Sequence, residues 1–93
     1  MFHHSLKDYD THIGYQSVSY YNNHDYKKCL QACLQVIKLD PNNADAYSNM
    51  GAAYNGLSQW QAAADACKKA LQINPNHKLA KGNLALANQN LKK

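Results

Sequence analysis

The 93-residue chain contains no arginine and no glutamate: all ten basic residues are lysine and all six acidic residues are aspartate. Without guanidinium groups it lacks the planar forks that read guanine or clamp phosphate bidentately. A net charge of +4 mildly favours acidic partners. The lysines are dispersed, however, as Lys27–Lys28, Lys68–Lys69, Lys78 with Lys81, and Lys92–Lys93. That spread reads as a solvated outer face and not as a nucleic-acid footprint. No stretch approaches the ~18 apolar residues of a membrane span. The opening MFHHSLKDYD has no apolar core of the kind a secretory signal needs. The expectation is a protein that neither inserts into a membrane nor is secreted, in a cytoplasmic setting.

Catalytic chemistry is also thin. There is no glycine-rich phosphate loop, no nucleophile elbow and no pair of glutamates. Three cysteines cannot all pair within one chain, so reduced thiols are expected. Cys29 and Cys33 lie one helical turn apart, but no Cys-x-x-Cys and no nearby His pair completes a tetrahedral metal set. They read as small buried apolar residues, as does Cys67. The five histidines are scattered, with His24 and His77 in turns. The sequence predicts no enzyme, no metal and no cofactor.

Proline is scarce, and its placement is informative. Pro41, in KLDPNNADAY, and Pro75, in QINPNHKLAK, stand 34 residues apart. Shifting the chain by that interval lays Tyr20 on Tyr54, Ala32 on Ala66, Cys33 on Cys67 and Asn42 on Asn76. A further shift lays Ala46 on Ala80, Asn49 on Asn83 and Met50 on Leu84. A fixed period of this length marks a stacked-repeat architecture. Apolar residues within each unit recur at steps of three and four, as in Ala46, Met50, Ala53, Tyr54 and in Ala63, Cys67, Ala70, Leu71. Asn55–Gly56 breaks the unit mid-way, Ser58 is expected to cap the helix that follows, and Asp25 does so before Tyr26. The prolines stop each second helix. Helices are therefore expected near residues 10–22, 25–39, 44–56, 59–73 and 77–91, with almost no strand. Ser17, Gly51 and Ala85 share one phase and are all small, as though another helix backbone crosses there.

Tyr47-x-x-Met50-Gly51-x-x-Tyr54, then Ala63-x-x-x-Cys67 and Pro75, resembles the tetratricopeptide repeat pattern W-x-x-L-G-x-x-Y…A-x-x-x-F…P. The first unit departs from it early, with Ile13, Gln16 and Ser17 where Trp, Leu and Gly would stand. The resemblance covers about residues 10–91. It implies an all-α fold in which helix-turn-helix repeats form a short right-handed solenoid. The chain is expected to be one domain over 1–93: an N-terminal extension at 1–9, repeats at 10–43 and 44–77, and a capping helix at 78–93.

In such a stack the first helix of each repeat lines the concave side. The 3.6 period then exposes Thr11, Gly14, Tyr15 and Val18 from the first repeat, and Asp45, Ser48, Asn49 and Ala52 from the second. The closing helix adds Leu79, Gly82, Asn83 and Leu86. Of the seven tyrosines only Tyr15 and Tyr21 are placed on this inner face, the aromatic core taking Tyr20, Tyr26, Tyr47 and Tyr54. The strip is nearly neutral and suits a peptide or partner helix. The carboxylate clamp of co-chaperone modules that hold an acidic chaperone tail is matched only at Asn49, with Gly14, Val18, Leu79 and Asn83 at the other places. Asn49 and Asn83 fit the asparagine ladder of O-linked N-acetylglucosamine transferase, while Tyr15 breaks it. The sequence thus predicts a non-catalytic protein–protein interaction module, monomeric or weakly self-associating. The alternatives are a docking or targeting segment of a larger enzyme such as a glycosyltransferase, or a self-assembly unit stacking through its first helix.

Overall fold

Starts and stops of the helices follow from short polar side chains and from proline. In the computed structural model, which describes residues 17, 18 and 20–93, four helices run in order: α1 (Tyr26–Leu39), α2 (Ala44–Gly56), α3 (Trp60–Ile73) and α4 (Lys78–Leu91). Residues 17, 18 and 20–22 are helical as well, and no strand occurs among the described residues. Thr11, Ile13, Gly14, Tyr15 and Gln16 lie outside them. The fold is all-α, as the repeat implies.

Asp25 caps α1 by accepting the Lys28 N–H at 3.3 Å. Asn43 caps α2 through the Ala46 N–H at 3.0 Å. One period later the same place is held by His77, whose Nδ1 accepts the Ala80 N–H at 3.2 Å. Helices α1 and α3 end one residue short of Asp40 and Asn74, which precede the prolines and leave the helical region. Their N–H groups close the last turns on Val36 O at 2.7 Å and Ala70 O at 2.8 Å.

The mid-repeat turn differs from expectation. Ser58 does not cap α3; the capping position is Gln59, which makes no side-chain cap bond. Ser58 instead has φ 60°, and its repeat equivalent His24 has φ 61°. In each turn this left-handed residue donates its N–H back three residues, Ser58 to Asn55 O at 3.0 Å and His24 to Tyr21 O at 2.9 Å. The next residue donates back five, Gln59 to Tyr54 O at 2.9 Å and Asp25 to Tyr20 O at 2.8 Å. This is the Schellman closure, which normally places glycine at the left-handed position.

Each helix packs on the next, and α2 also meets α4. The close approaches are made by small residues. A Cβ at Gly51 would collide with Cys67 Sγ and stand 3.4 Å from Ala63 O, so α2 and α3 pack nearly backbone to backbone. At Gly56 a Cβ would come within 2.5 Å of the Tyr26 ring, which therefore lies flat over the end of α2. The largest fully buried side chains are only Cys29, Cys33, Cys67, Ser17 and Ser48. Tyr20, Tyr26, Tyr47 and Tyr54 stay half-buried and lean on this narrow core. Ala85 shares the Gly51 phase yet is exposed, because α4 has no following helix against that side among the described residues.

Left-handed backbone costs a residue with a Cβ roughly 1 kcal/mol. Ser58→Gly is therefore expected to stabilise by about 0.5–1 kcal/mol, raising the thermal midpoint by a few degrees. His24→Gly should gain less, since it loses the 3.1 Å contact of His24 Nδ1 with the Tyr26 hydroxyl. Thermal unfolding followed by circular dichroism checks both; a Ser58→Gly protein no more stable than the parent contradicts the turn geometry.

Candidate functional site

The contact between α2 and α4 leaves a concavity on the inner side of the stack. A pocket of about 160 Å³ there is lined by Val18, Tyr21, Asn49, Ala52, Leu79 and Asn83. Val18 is 44% and Leu79 52% exposed, so apolar surface faces solvent there. The lining comes from three places in sequence, spaced by the repeat. Five of its six residues carry the groove assignment made from sequence, and the sixth, Tyr21, was placed on the inner face. Leu86 is also exposed but lies outside the pocket lining. Gly82 is exposed with open space over it, since a Cβ there would meet nothing within 4 Å. Gly14 and Tyr15 fall outside the described residues.

Two expectations of exposure are corrected. Ser48 is 0% exposed, and Ala52 only 8%, although both were read as open to the groove. The cause is α4, which crosses α2 on that side and brings the Asn83 amide onto the Ser48 carbonyl. Ala52 forms part of the pocket wall, and Ser48 lies sealed at the helix crossing. A signal existed in the sequence. Gly14, Ser48 and Gly82 share one repeat phase and are all small, as a backbone crossing requires.

The asparagines are structural as well as superficial. Asn49 Nδ2 donates to Ser17 Oγ at 3.5 Å, and Asn83 Nδ2 donates to Ser48 O at 3.4 Å. Asn55, buried in α2, donates to Asn83 O at 3.1 Å. Reasoning from sequence missed Asn55, and missed the role of Asp45. The latter is 84% exposed and accepts from His77 Nε2 at 2.6 Å. Because His77 Nδ1 accepts from Ala80, the ring carries its proton on Nε2. One side chain thus caps α4 and fastens it to α2. The equivalence of His77 with the capping Asn43 one period earlier was the available clue.

The thiols lie behind the groove. All three are fully buried. A hydrogen bond between Cys29 and Cys33 raises Cys33 far above the ordinary thiol range, with burial adding to it, while the same bond lowers Cys29 against the effect of burial. Burial pushes the Cys67 thiol up to about 11. Cys29 Sγ also points to Asn49 O at 4.0 Å. Among the described residues no three His, Cys, Asp or Glu side chains gather as a metal set would need.

A family profile described as tetratricopeptide repeat matches residues 44–77, and one described as TPR repeat matches residues 19–58. The chain belongs to the tetratricopeptide repeat family. Solved tetratricopeptide domains share its fold. The second such domain of human RPAP3, in complex with the HSP70 peptide SGPTIEEVD, aligns with TM-score 0.80 at 22% identity, covering 85% of this chain and 66% of that one. The first domain of Spaghetti (RPAP3), bound to the HSP90 peptide SRMEEVD, gives 0.85 at 21% over 90% and 67%. The Arabidopsis OM64 domain gives 0.82 at 22% over 86% and 66%. The chain therefore spans about two thirds of the length of these domains. No curated protein sequence matches it.

Two outcomes are expected. The cysteines should alkylate slowly in the native tetratricopeptide fold and rapidly in denaturant; fast native labelling of Cys33 or Cys67 contradicts their enclosure. Asn83→Ala should cost about 0.5–1.5 kcal/mol through the lost bond to Ser48 O. Ser48→Ala should be neutral or slightly stabilising, because Ser48 Oγ is buried with no hydrogen-bond partner among the described residues. Denaturant unfolding measures both.

Proposed function

We propose that the chain is a non-catalytic interaction module that holds a polypeptide, extended or helical, in its concave groove. The observation that carries this reading is the pocket itself: exposed Val18, Tyr21 and Leu79 beside two amides, Asn49 and Asn83, one repeat apart. Apolar walls with a few oriented polar groups are what a peptide site requires. The peptides bound to the RPAP3 and Spaghetti domains support the same use of this fold. Two of the ten lysines are engaged by the protein's own side chains. Lys28 lies 5.9 Å over the Tyr20 ring and 3.7 Å from Asp25, and Lys69 lies 6.0 Å over the Tyr47 ring. These contacts engage Lys28 of α1 and Lys69 of α3 with tyrosines of the helical segments that precede them. No helix among the described residues is long and apolar enough to cross a membrane.

A second reading has one observation in its favour. Asn49 and Asn83 form two rungs of a ladder on one pocket, which suits a substrate-docking segment of a larger enzyme such as a glycosyltransferase. Either way the groove is the binding surface, and the proposed division into repeats at 10–43 and 44–77 with a closing helix at 78–93 is common to both.

Leu79→Ser tests the groove without disturbing the core, since Leu79 is half exposed. Partner affinity is expected to fall about tenfold, roughly 1.4 kcal/mol, with stability unchanged within ~0.5 kcal/mol. Lys68→Ala with Lys69→Ala should leave affinity nearly unchanged and binding only weakly salt-dependent. Calorimetric titration of a captured partner measures both. A steep salt dependence abolished by the lysine changes sinks the groove reading.

A further inference from the structure

Asn55 and Gly56 are each held in place by a different neighbour. The Asn55 amide donates to the Asn83 carbonyl at 3.1 Å and so fastens α4 to α2. Gly56 lies under the Tyr26 ring, where a Cβ would come within 2.5 Å. Packing thus sets an asparagine directly before a glycine, and this is the chain's only Asn–Gly step. Such a step is chemically weak, because glycine has no side chain to hinder its own nitrogen from attacking the preceding side-chain amide. Three features restrain it in the native stack. Asn55 is only 8% exposed. It lies in the last turn of α2, and helical backbone ties the Gly56 N–H to the carbonyl four residues back. Its amide nitrogen is bound to α4. All three are lost together when α4 lifts from α2 and the end of α2 frays, a local opening easier than global unfolding.

We propose that Asn55 is a site of spontaneous modification, deamidated during the openings in which α4 undocks, and that the change keeps α4 from regaining its register. The Gly56 nitrogen, having lost its proton, bonds to the side-chain carbonyl carbon of Asn55. The carbon–nitrogen bond of the amide breaks and ammonia leaves, giving a cyclic imide. Water then opens the ring at either carbonyl, so one water is consumed, one ammonia is released and no oxidant or reductant is needed. Opening one way gives aspartate, whose ionised carboxylate only accepts and stands against the Asn83 carbonyl with no proton between them. It also places a charge where Asn55 Oδ1 already lacks a partner among the described residues. Opening the other way gives isoaspartate, which adds a methylene to the main chain and shifts Gly56 from beneath Tyr26. Either product loses the bond that orders α4, so a reversible opening becomes a lasting one. The groove wall that α4 carries, Leu79 and Asn83, moves with it. The chemistry itself does not depend on what the groove binds.

The test keeps the chain at mildly alkaline pH, in native buffer and in urea, and follows each asparagine by peptide mapping. In urea Asn55 is expected to convert fastest of all the asparagines. In native buffer it should convert at least about tenfold more slowly than in urea. Asn83→Ala loosens α4 while leaving Asn55 and Gly56 intact, and should speed native conversion severalfold with the urea rate unchanged. Val36→Ala serves as the control, since Val36 packs with Ala32 and Ala46 between α1 and α2 and its truncation lowers stability away from α4. It should leave native conversion nearly unchanged. Equal acceleration by the two variants, or none by either, overturns the link to α4 undocking. Hydrogen exchange on the converted chain, and on Asn55→Asp as its direct copy, reads the consequence. The amides of α4 should lose at least about tenfold in protection while those of α1 keep theirs. Full protection of α4 after conversion overturns the loss of register.

Discussion

Helices α2 and α3 meet as closely as they do because position 51 carries no side chain, for a Cβ there would run into Cys67 Sγ and press against the Ala63 carbonyl at 3.4 Å. A glycine inside a helix costs about 1 kcal/mol against alanine, so the approach must return more than that. It does so through dispersion between near-touching backbones and through the burial of a core rich in alanine and cysteine. The same closeness limits how much area each residue buries. Tyrosines make up for this from outside, with Tyr26 over Gly56, and Tyr20, Tyr47 and Tyr54 against the cluster around Cys29, Cys33 and Met50. Small residues set the spacing and half-buried rings supply the apolar payload.

Spacing on this scale also makes the groove. With α2 and α4 in direct contact, the Asn83 side chain reaches the Ser48 carbonyl and the Asn55 side chain reaches the Asn83 carbonyl. Asn49 reaches Ser17 in the same way on the other side of α2. These bonds tie successive first helices to one another, and they also point the groove amides. The residues that line the groove are thus the ones that fix the register of the stack. A change at Asn49 or Asn83 is a change in both, which is why an exposed apolar residue such as Leu79 isolates binding more cleanly.

Most of the helical framework was legible in the sequence because it rests on period and on local chemistry. The prolines after α1 and α3 and the cap at Asp25 each act within a turn or two of their own position, and the 34-residue interval repeats the pattern. Ser58 was misread because a hydroxyl before a helix is the usual cap. Here the Schellman closure that ends α2, with two backbone bonds returning to Tyr54 and Asn55, holds it in the left-handed region instead. Ser48 was misread because helical phase alone gives its direction, whereas its burial depends on the crossing of α4. Neither the His77–Asp45 link nor the donor side of Asn83 could be read, since each joins residues more than thirty apart across an interface.

Two buried polar atoms remain without partners among the described residues, Ser48 Oγ and Asn55 Oδ1. Each is costly in a small domain, by about 1–3 kcal/mol on general grounds. Both belong to residues that serve the same crossing: Ser48 is small enough to admit α4, and Asn55 supplies the donor that holds it. Alanine at 48 would admit α4 equally well, so the hydroxyl is dispensable to the crossing. At 55, by contrast, the amide donates to the Asn83 carbonyl, and its oxygen is stranded as a consequence. The groove is held in shape at the expense of one amide oxygen, because the donor that orders α4 and the stranded acceptor are two ends of one planar group.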